Sequence, residues 1–288
     1  MKLQSKLVQK EVKCLLREAL QSSDNIDSMF KPDDAGNRLL IFEKLKVGIV
    51  GIGSGAGVSF TSTCIAKACK EKGKLPCVIE LGKASIYDSI GMDKRFYGRE
   101  YFKFYEAILN DKSIRNNKNI SEGINWIVKD TSERNFELSS SAALRLVNNA
   151  IGEVIICDFS GLEFDNHGIM LKELLLDMDF IIVVINPLPS KLLPGLSKIE
   201  EIKKLIPKQI YVINKSNSGV NRNELLKFIK INKPIYFPHL SAELIYEAEY
   251  TCIIPYAMEK AKQNLAHPLG EIVDIILKKE KSNNLRKS

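Results

Sequence analysis

Residues Val47 to Gly82 read VGIVGIGSGAGVSFTSTCIAKACKEKGKLPCVIELG, an apolar run, a glycine-rich turn, a helix-length segment and a second apolar run in succession. Val47, Ile49 and Val50 carry the pattern of a short buried strand, and Thr61 to Lys70 that of a helix. Between them, Gly53, Gly55 and Gly57 let the backbone turn without Cβ clashes. A strand that turns through glycines into a helix gathers several backbone N–H groups in one concavity, which attracts anions. Close packing in a Rossmann-like domain needs the same turn, so the turn alone leaves ligand binding open.

A phosphate-binding loop of the form GxxxxGK[ST] places a lysine on the terminal phosphates and a hydroxyl on magnesium. With the hydroxyl kept at Thr61, Phe60 stands at the lysine and Ser59 at the preceding glycine. Further along, Glu153-Val-Ile-Ile-Cys-Asp158-Phe-Ser-Gly161 is an apolar strand ending in an acid and a glycine; Asp158 could equally cap the turn that follows it. Phe180 to Pro187, Ile210-Tyr-Val-Ile-Asn214-Lys215 and Glu247-Ala248-Glu249 follow in that order.

These landmarks together resemble the MinD/ParA group of P-loop ATPases, from Lys46 to the last helix. The group's loop reads KGGVGKTT where this chain has GAGVSFTS from Gly55 to Ser62, so Gly57, Val58 and Thr61 match while both signature lysines are absent, at Gly55 and Phe60. The resemblance implies a doubly wound α/β fold, a mainly parallel sheet with helices on both faces in a three-layer sandwich. It also implies an ATP or ADP site with Mg2+. Gly53, Ser54, Gly55, Ala56, Gly57, Val58, Ser59, Phe60, Thr61 and Ser62 would wrap the phosphates. Thr61 and Asp158 would hold the ion, Gly161 would sense the terminal phosphate, and Asn214 and Lys215 would meet the base. The Glu247–Glu249 helix would lie near the base pocket. Where the group ends its second strand in an aspartate pair, this chain has Glu80-Leu81-Gly82; the longer carboxylate and the bare Gly82 put the positioning of an attacking water in doubt. The divergent loop and Glu80 look most like the TadZ/CpaE branch, associated with pilus and secretion-system localisation in bacteria.

The expected function is a MinD/ParA-like positioning or assembly factor with a degenerate nucleotide site, with slow ATP hydrolysis or none. Two alternatives stay open: an active ATPase in which Lys83 or Lys215 replaces the lost cation, and a nucleotide-free scaffold. Whether Phe60 blocks the pocket or turns into the core is also open at this stage. The resemblance further implies a homodimer and protein partners, with membrane contact peripheral and through a partner.

With 288 residues, 45% of them hydrophobic and 27% charged, the chain can bury one substantial α/β core. No apolar run is long enough to cross a bilayer and the lysine-bearing start has no secretory core, so the expected location is cytoplasmic. Cysteines 14, 64, 69, 77, 157 and 252 lie in apolar patterns without CxxC spacing, which argues for reduced buried thiols rather than disulfides or zinc. His167, His239 and His267 show no metal-ligand spacing. The net charge of +7 comes from lysines spread along helix faces, and no motif for sequence-specific nucleic-acid reading occurs.

The expected organisation is an N-terminal segment, 1–38, an ATPase-type domain, 39–280, and a basic tail, 281–288. Leu3, Leu7, Val8, Val12, Leu15 and Leu16 make the first 22 residues an amphipathic helix, and Ser22 to Asn37 a linker. Ile86 to Asn117 is an insert rich in aromatic and basic residues; core packing is the favoured role for its rings. Trp126 sits in a short strand, and Gly270 to Lys279 reads as the last helix.

Overall fold

In the computed structural model the structure describes residues 44–162 and 164–284. The amphipathic helix and linker expected over 1–38, Cys14 and the last four residues lie outside the described residues.

Eight strands form one sheet: β1 (Leu45–Ile52), β2 (Pro76–Glu80), β3 (Ile120–Ser121), β4 (Ile124–Ile127), β5 (Val154–Asp158), β6 (Phe180–Ile185), β7 (Lys208–Ser216) and β8 (Ile235–Pro238). Their order is β3-β4-β2-β5-β1-β6-β7-β8, and every pairing is parallel except the short β3–β4 ribbon. Eleven α-helices are described: α1 (Val58–Glu71), α2 (Ile86–Ser89), α3 (Met92–Arg95), α4 (Phe104–Leu109), α5 (Ser140–Asn149), α6 (Phe164–Leu176), α7 (Pro189–Leu192), α8 (Leu196–Lys203), α9 (Arg222–Ile229), α10 (Ala242–Thr251) and α11 (Glu259–Asn284).

Helices cover both faces, as the apolar strand runs require. On β6, Phe180, Ile182 and Val184 point into one core with α1 and α11, while Ile181, Val183 and Ile185 point into the other with α5, α6, α8 and α9. Strands buried on both sides read as continuous Val/Ile runs rather than alternating ones. The expected doubly wound, mainly parallel α/β sheet is therefore present.

Helix α11 starts well before Gly270 and passes straight through Pro268. Ala261, Leu265, Leu269, Ile272, Val273 and Ile276 form one buried stripe along it, packed on the α1 face of the sheet. Burial of that stripe outweighs the hydrogen bond a mid-helix proline removes.

The insert's rings are mostly core. Phe96, Phe104 and Tyr105 are buried, Tyr101 stands edge-on to both Tyr87 and Phe96, and Tyr97 alone of this set is almost fully exposed, at 90%. Trp126 is fully buried on β4. Cys64, Cys69, Cys77 and Cys157 are buried free thiols and Cys252 is half-buried. No helix among the described residues is long and apolar enough to cross a membrane.

Candidate nucleotide site

The glycine turn lies at the C-terminal end of β1, where the chain's connections leave towards opposite edges of the sheet, the usual place for a ligand in an open α/β sheet. Gly53, Gly55 and Gly57 all take positive φ. At Gly57 φ is 92°, and a Cβ there would stand 2.3 Å from the Asn214 amide nitrogen, so backbone conformation and space both demand glycine. Helix α1 begins at Val58, three residues before the sequence pattern suggested, which places Ser59 and Phe60 in its first turn. That turn carries no acidic side chain and Gly57 provides no capping side chain, leaving its N–H groups to an outside acceptor.

Asn214 and Lys215, at the end of β7, reach the loop directly. The Asn214 amide donates to the Ala56 carbonyl at 2.7 Å and its oxygen accepts from the Lys215 N–H at 2.8 Å. The Lys215 ammonium donates to the Gly55 carbonyl at 2.9 Å. Asn186, after β6, donates to the Ser54 carbonyl at 3.3 Å. Three successive loop carbonyls are thus held from the neighbouring strands. Asn186 closes the Phe180–Pro187 landmark of the sequence, which gave no sign of its contact with the loop.

Phe60 is half-buried and packs against the core between the sheet and α1. Thr61 is fully buried; its hydroxyl donates to the Gly57 carbonyl at 2.8 Å, and the Ser62 hydroxyl to the Val58 carbonyl at 3.0 Å.

Asp158 closes β5 beneath the loop. One carboxylate oxygen accepts from the Ser160 N–H at 2.8 Å, the capping bond that the plain turn reading expected; the other, Oδ2, is buried with no hydrogen-bond partner. Burial raises the Asp158 pKa, against the lowering effect of the Ser160, Ser59 and Ser62 hydroxyls. An orphaned, buried carboxylate oxygen is an ordinary place for a cation. Among the described residues no three His, Cys, Asp or Glu side chains gather to hold a metal, so a divalent ion here would depend on phosphate oxygens and water, as Mg2+ commonly does. Thr61 and Asp158 fit that role.

Glu80, beside Asp158 in the β2–β5 register, is engaged differently. It is fully buried and accepts three backbone N–H bonds, from Ser85 (2.7 Å), Ile86 (2.8 Å) and Lys129 (3.1 Å). Its carboxylate shapes the turn into α2. Burial, opposed by the Ile86 N–H and helped by the Asp158 charge, pushes its pKa up to about 7. Lys129 was missed in the sequence; it is buried and its ammonium donates to the Gly82 carbonyl at 2.8 Å.

The turns after β2 and β5 are stitched together. Leu81 and Gly82 donate to the Asp158 carbonyl, Lys83 to the Ser160 carbonyl at 2.6 Å, and the Ser160 hydroxyl back to Lys83 at 3.2 Å. Gly82 admits no side chain, since a Cβ would meet the Ser160 carbonyl oxygen at 1.9 Å. Gly161, at φ 74°, lies against Lys83.

Ser54, Gly55 and Lys215 also form the polar end of a 1040 Å³ groove walled by Pro187, Leu188, Leu193, Val220 and Phe228. None of its lining residues lies on α10, where Ala248 is buried and Glu247 and Glu249 are exposed.

A glycine loop between strand and helix at the switch point of a parallel sheet is an arrangement that P-loop and Rossmann-like domains share. More narrowly, the fold is that of the MinD and ParA-like ATPases. In sequence the chain matches no family model and no curated protein. In structure it is similar to MinD from Pyrococcus horikoshii complexed with Mg-ADP, with a TM-score of 0.61 and 15% identity over 80% of this chain and 96% of that one. A plasmid partition protein from Borrelia burgdorferi bound to AMPPNP gives 0.60 and 17% over 83% and 100%, and the MinC:MinD complex of Aquifex aeolicus 0.60 and 14% over 79% and 95%.

Proposed function

We propose that the chain is a positioning or assembly factor of the MinD/ParA type whose degenerate loop binds ATP or ADP with Mg2+ and hydrolyses ATP slowly or not at all. The observation that carries this reading is the split between a preserved backbone site and a missing cation. The loop keeps its left-handed glycines and Asp158 keeps a buried, unpartnered oxygen, while the side chain at the lysine position is a half-buried phenylalanine packed against the core. In this reading Gly53 to Ser62 surround the phosphates, Thr61 and Asp158 hold the ion, and Gly161 lies beside the terminal phosphate. The base lies beyond Asn214 and Lys215.

Slow turnover follows from two features, since phosphoryl transfer depends on charge and water positioning: the loop has Phe60 at the lysine position, and Glu80 spends its carboxylate on three backbone N–H groups. One of the described similarities, a MinD in complex with MinC, supports a role played through protein partners, and a homodimer is the assembly this reading adds. Pilus or secretion-system placement of the TadZ/CpaE kind, in a cytoplasmic protein reaching the membrane through a partner, is the process this reading favours.

The test is equilibrium titration with a fluorescent ATP analogue, with and without Mg2+. Binding that depends on Mg2+ and is lost in Asp158→Ala supports the reading. No binding at millimolar nucleotide overturns it in favour of a scaffold.

A further inference from the structure

The loop lacks a lysine of its own, yet an ammonium group lies on it. Lys215 extends from the end of β7 and sets its Nζ 2.9 Å from the Gly55 carbonyl. We infer that Lys215 supplies, from the end of β7, the positive charge that holds the terminal phosphate of a nucleoside polyphosphate seated in this loop. The inference rests on the nucleotide-binding reading above and gives Lys215 a different role from contact with a base.

Three features place the group there. Lys215 has φ 57°, a left-handed conformation uncommon for a residue with a Cβ and one that costs about 1 kcal/mol. The Asn214 side chain holds it, accepting the Lys215 N–H at 2.8 Å while donating to Ala56 at 2.7 Å. This bracket turns the lysine back over the loop instead of letting it follow the strand into solvent. The ammonium sits against the loop at Gly55 itself: a Cβ built there would lie 4.0 Å from Nζ, an ordinary contact. A lysine ammonium has three donors, and the Gly55 carbonyl takes one of them. The side chain is exposed and lines the groove that opens from Ser54 and Gly55, so a phosphate entering the loop would meet it.

Lys83 is the competing cation. Its backbone is bound to the Ser160 turn through both its N–H and its carbonyl, which sets it beside Gly161 at the edge of the site, whereas among the described residues the ammonium bonded to a loop carbonyl is that of Lys215.

The experiment compares wild type, Lys215→Gln, Lys215→Arg and Lys83→Gln in titrations with a fluorescent ATP analogue at low and high salt. Unlabelled inorganic triphosphate and adenosine serve as competitors. Expected for Lys215→Gln is a loss of affinity of about ten-fold or more, the weight of one charge-assisted phosphate contact, with a shallower salt dependence. Competition by triphosphate should weaken in step while competition by adenosine is unchanged. Lys215→Arg should retain most of the affinity and Lys83→Gln all of it. Thermal melts of each variant confirm that the fold is intact.

Equal affinity in wild type and Lys215→Gln overturns the inference and leaves the nucleotide reading standing. So does a loss confined to Lys83→Gln, or a loss in Lys215→Gln that weakens adenosine as much as triphosphate. Failure of the wild type to bind either the analogue or triphosphate overturns both.

Discussion

Replacing Glu80 by glutamine should remove a pH dependence of stability that the buried carboxylate imposes. The folded protein holds the Glu80 proton up to about pH 7, against an ordinary glutamate value of 4.5. Between those two values the native state binds more protons than the unfolded chain, so stability falls as pH rises through the window. Each pH unit weighs about 1.4 kcal/mol, so the full penalty is about 3 kcal/mol, absent below pH 4.5 and complete above pH 7. Asp158 shares the effect, since the two carboxylates repel each other and its own pKa is also raised; what titrates is the pair.

The assay is urea unfolding of wild type and Glu80→Gln at pH 5 and pH 8. Glutamine keeps the acceptor for Ser85 and Ile86 and presents a donor to the Lys129 N–H, an offset of about 1 kcal/mol or more that does not change with pH. The quantity read is therefore the change in the difference between the two proteins. Wild type should lose about 2.5 kcal/mol relative to Glu80→Gln on going from pH 5 to pH 8, the first part of the penalty being already present at pH 5. A difference that stays constant, or that moves in wild type's favour, would falsify the reasoning and mean that the three N–H bonds outweigh burial and hold the carboxylate ionised.

Gly57→Ala must fit a Cβ 2.3 Å from the Asn214 amide nitrogen at φ 92°; a loss of about 2 kcal/mol, read from the denaturation midpoint, is expected, and an unchanged midpoint would show the loop to be more pliable than drawn. Phe60→Lys restores a cation at the start of α1; nucleotide affinity should rise about ten-fold or more, and no change would mean that the loop's mouth does not admit phosphate. Cys64 and Cys69 are buried with thiols pushed up to about 12, so at pH 8 a thiol reagent should modify them only after unfolding; rapid labelling of either in the native protein would contradict their place on the buried face of α1.

Much of the architecture was legible in the chain because it depends on local periodicity. The runs at Val47, Glu153, Phe180 and Ile210 became β1, β5, β6 and β7, and the glycines at 53, 55 and 57 became the turn into α1. Helix α11 was read too short, because a proline is a local signal whereas the buried stripe that carries the helix through Pro268 depends on what lies across from it. Among the site residues, Asp158 at the end of its strand was found from its pattern. The contacts of Glu80, Asn186 and Lys129 were not, since their partners are backbone groups supplied by other segments.

By itself the sequence determined the layer order, the loop and the absence of both lysines within it, since each is a property of adjacent residues: strand period, glycine spacing, side-chain identity. Tertiary structure decided where the charges and rings point. Phe60 packs half-buried against the core because the sheet face beside α1 offers apolar surface, and Lys215 lies on Gly55 because β7 runs beside β6, one strand from β1, and Asn214 bends its end inward. Those positions depend on residues about 160 apart in the chain meeting at one end of a sheet, a distance over which no local pattern carries information.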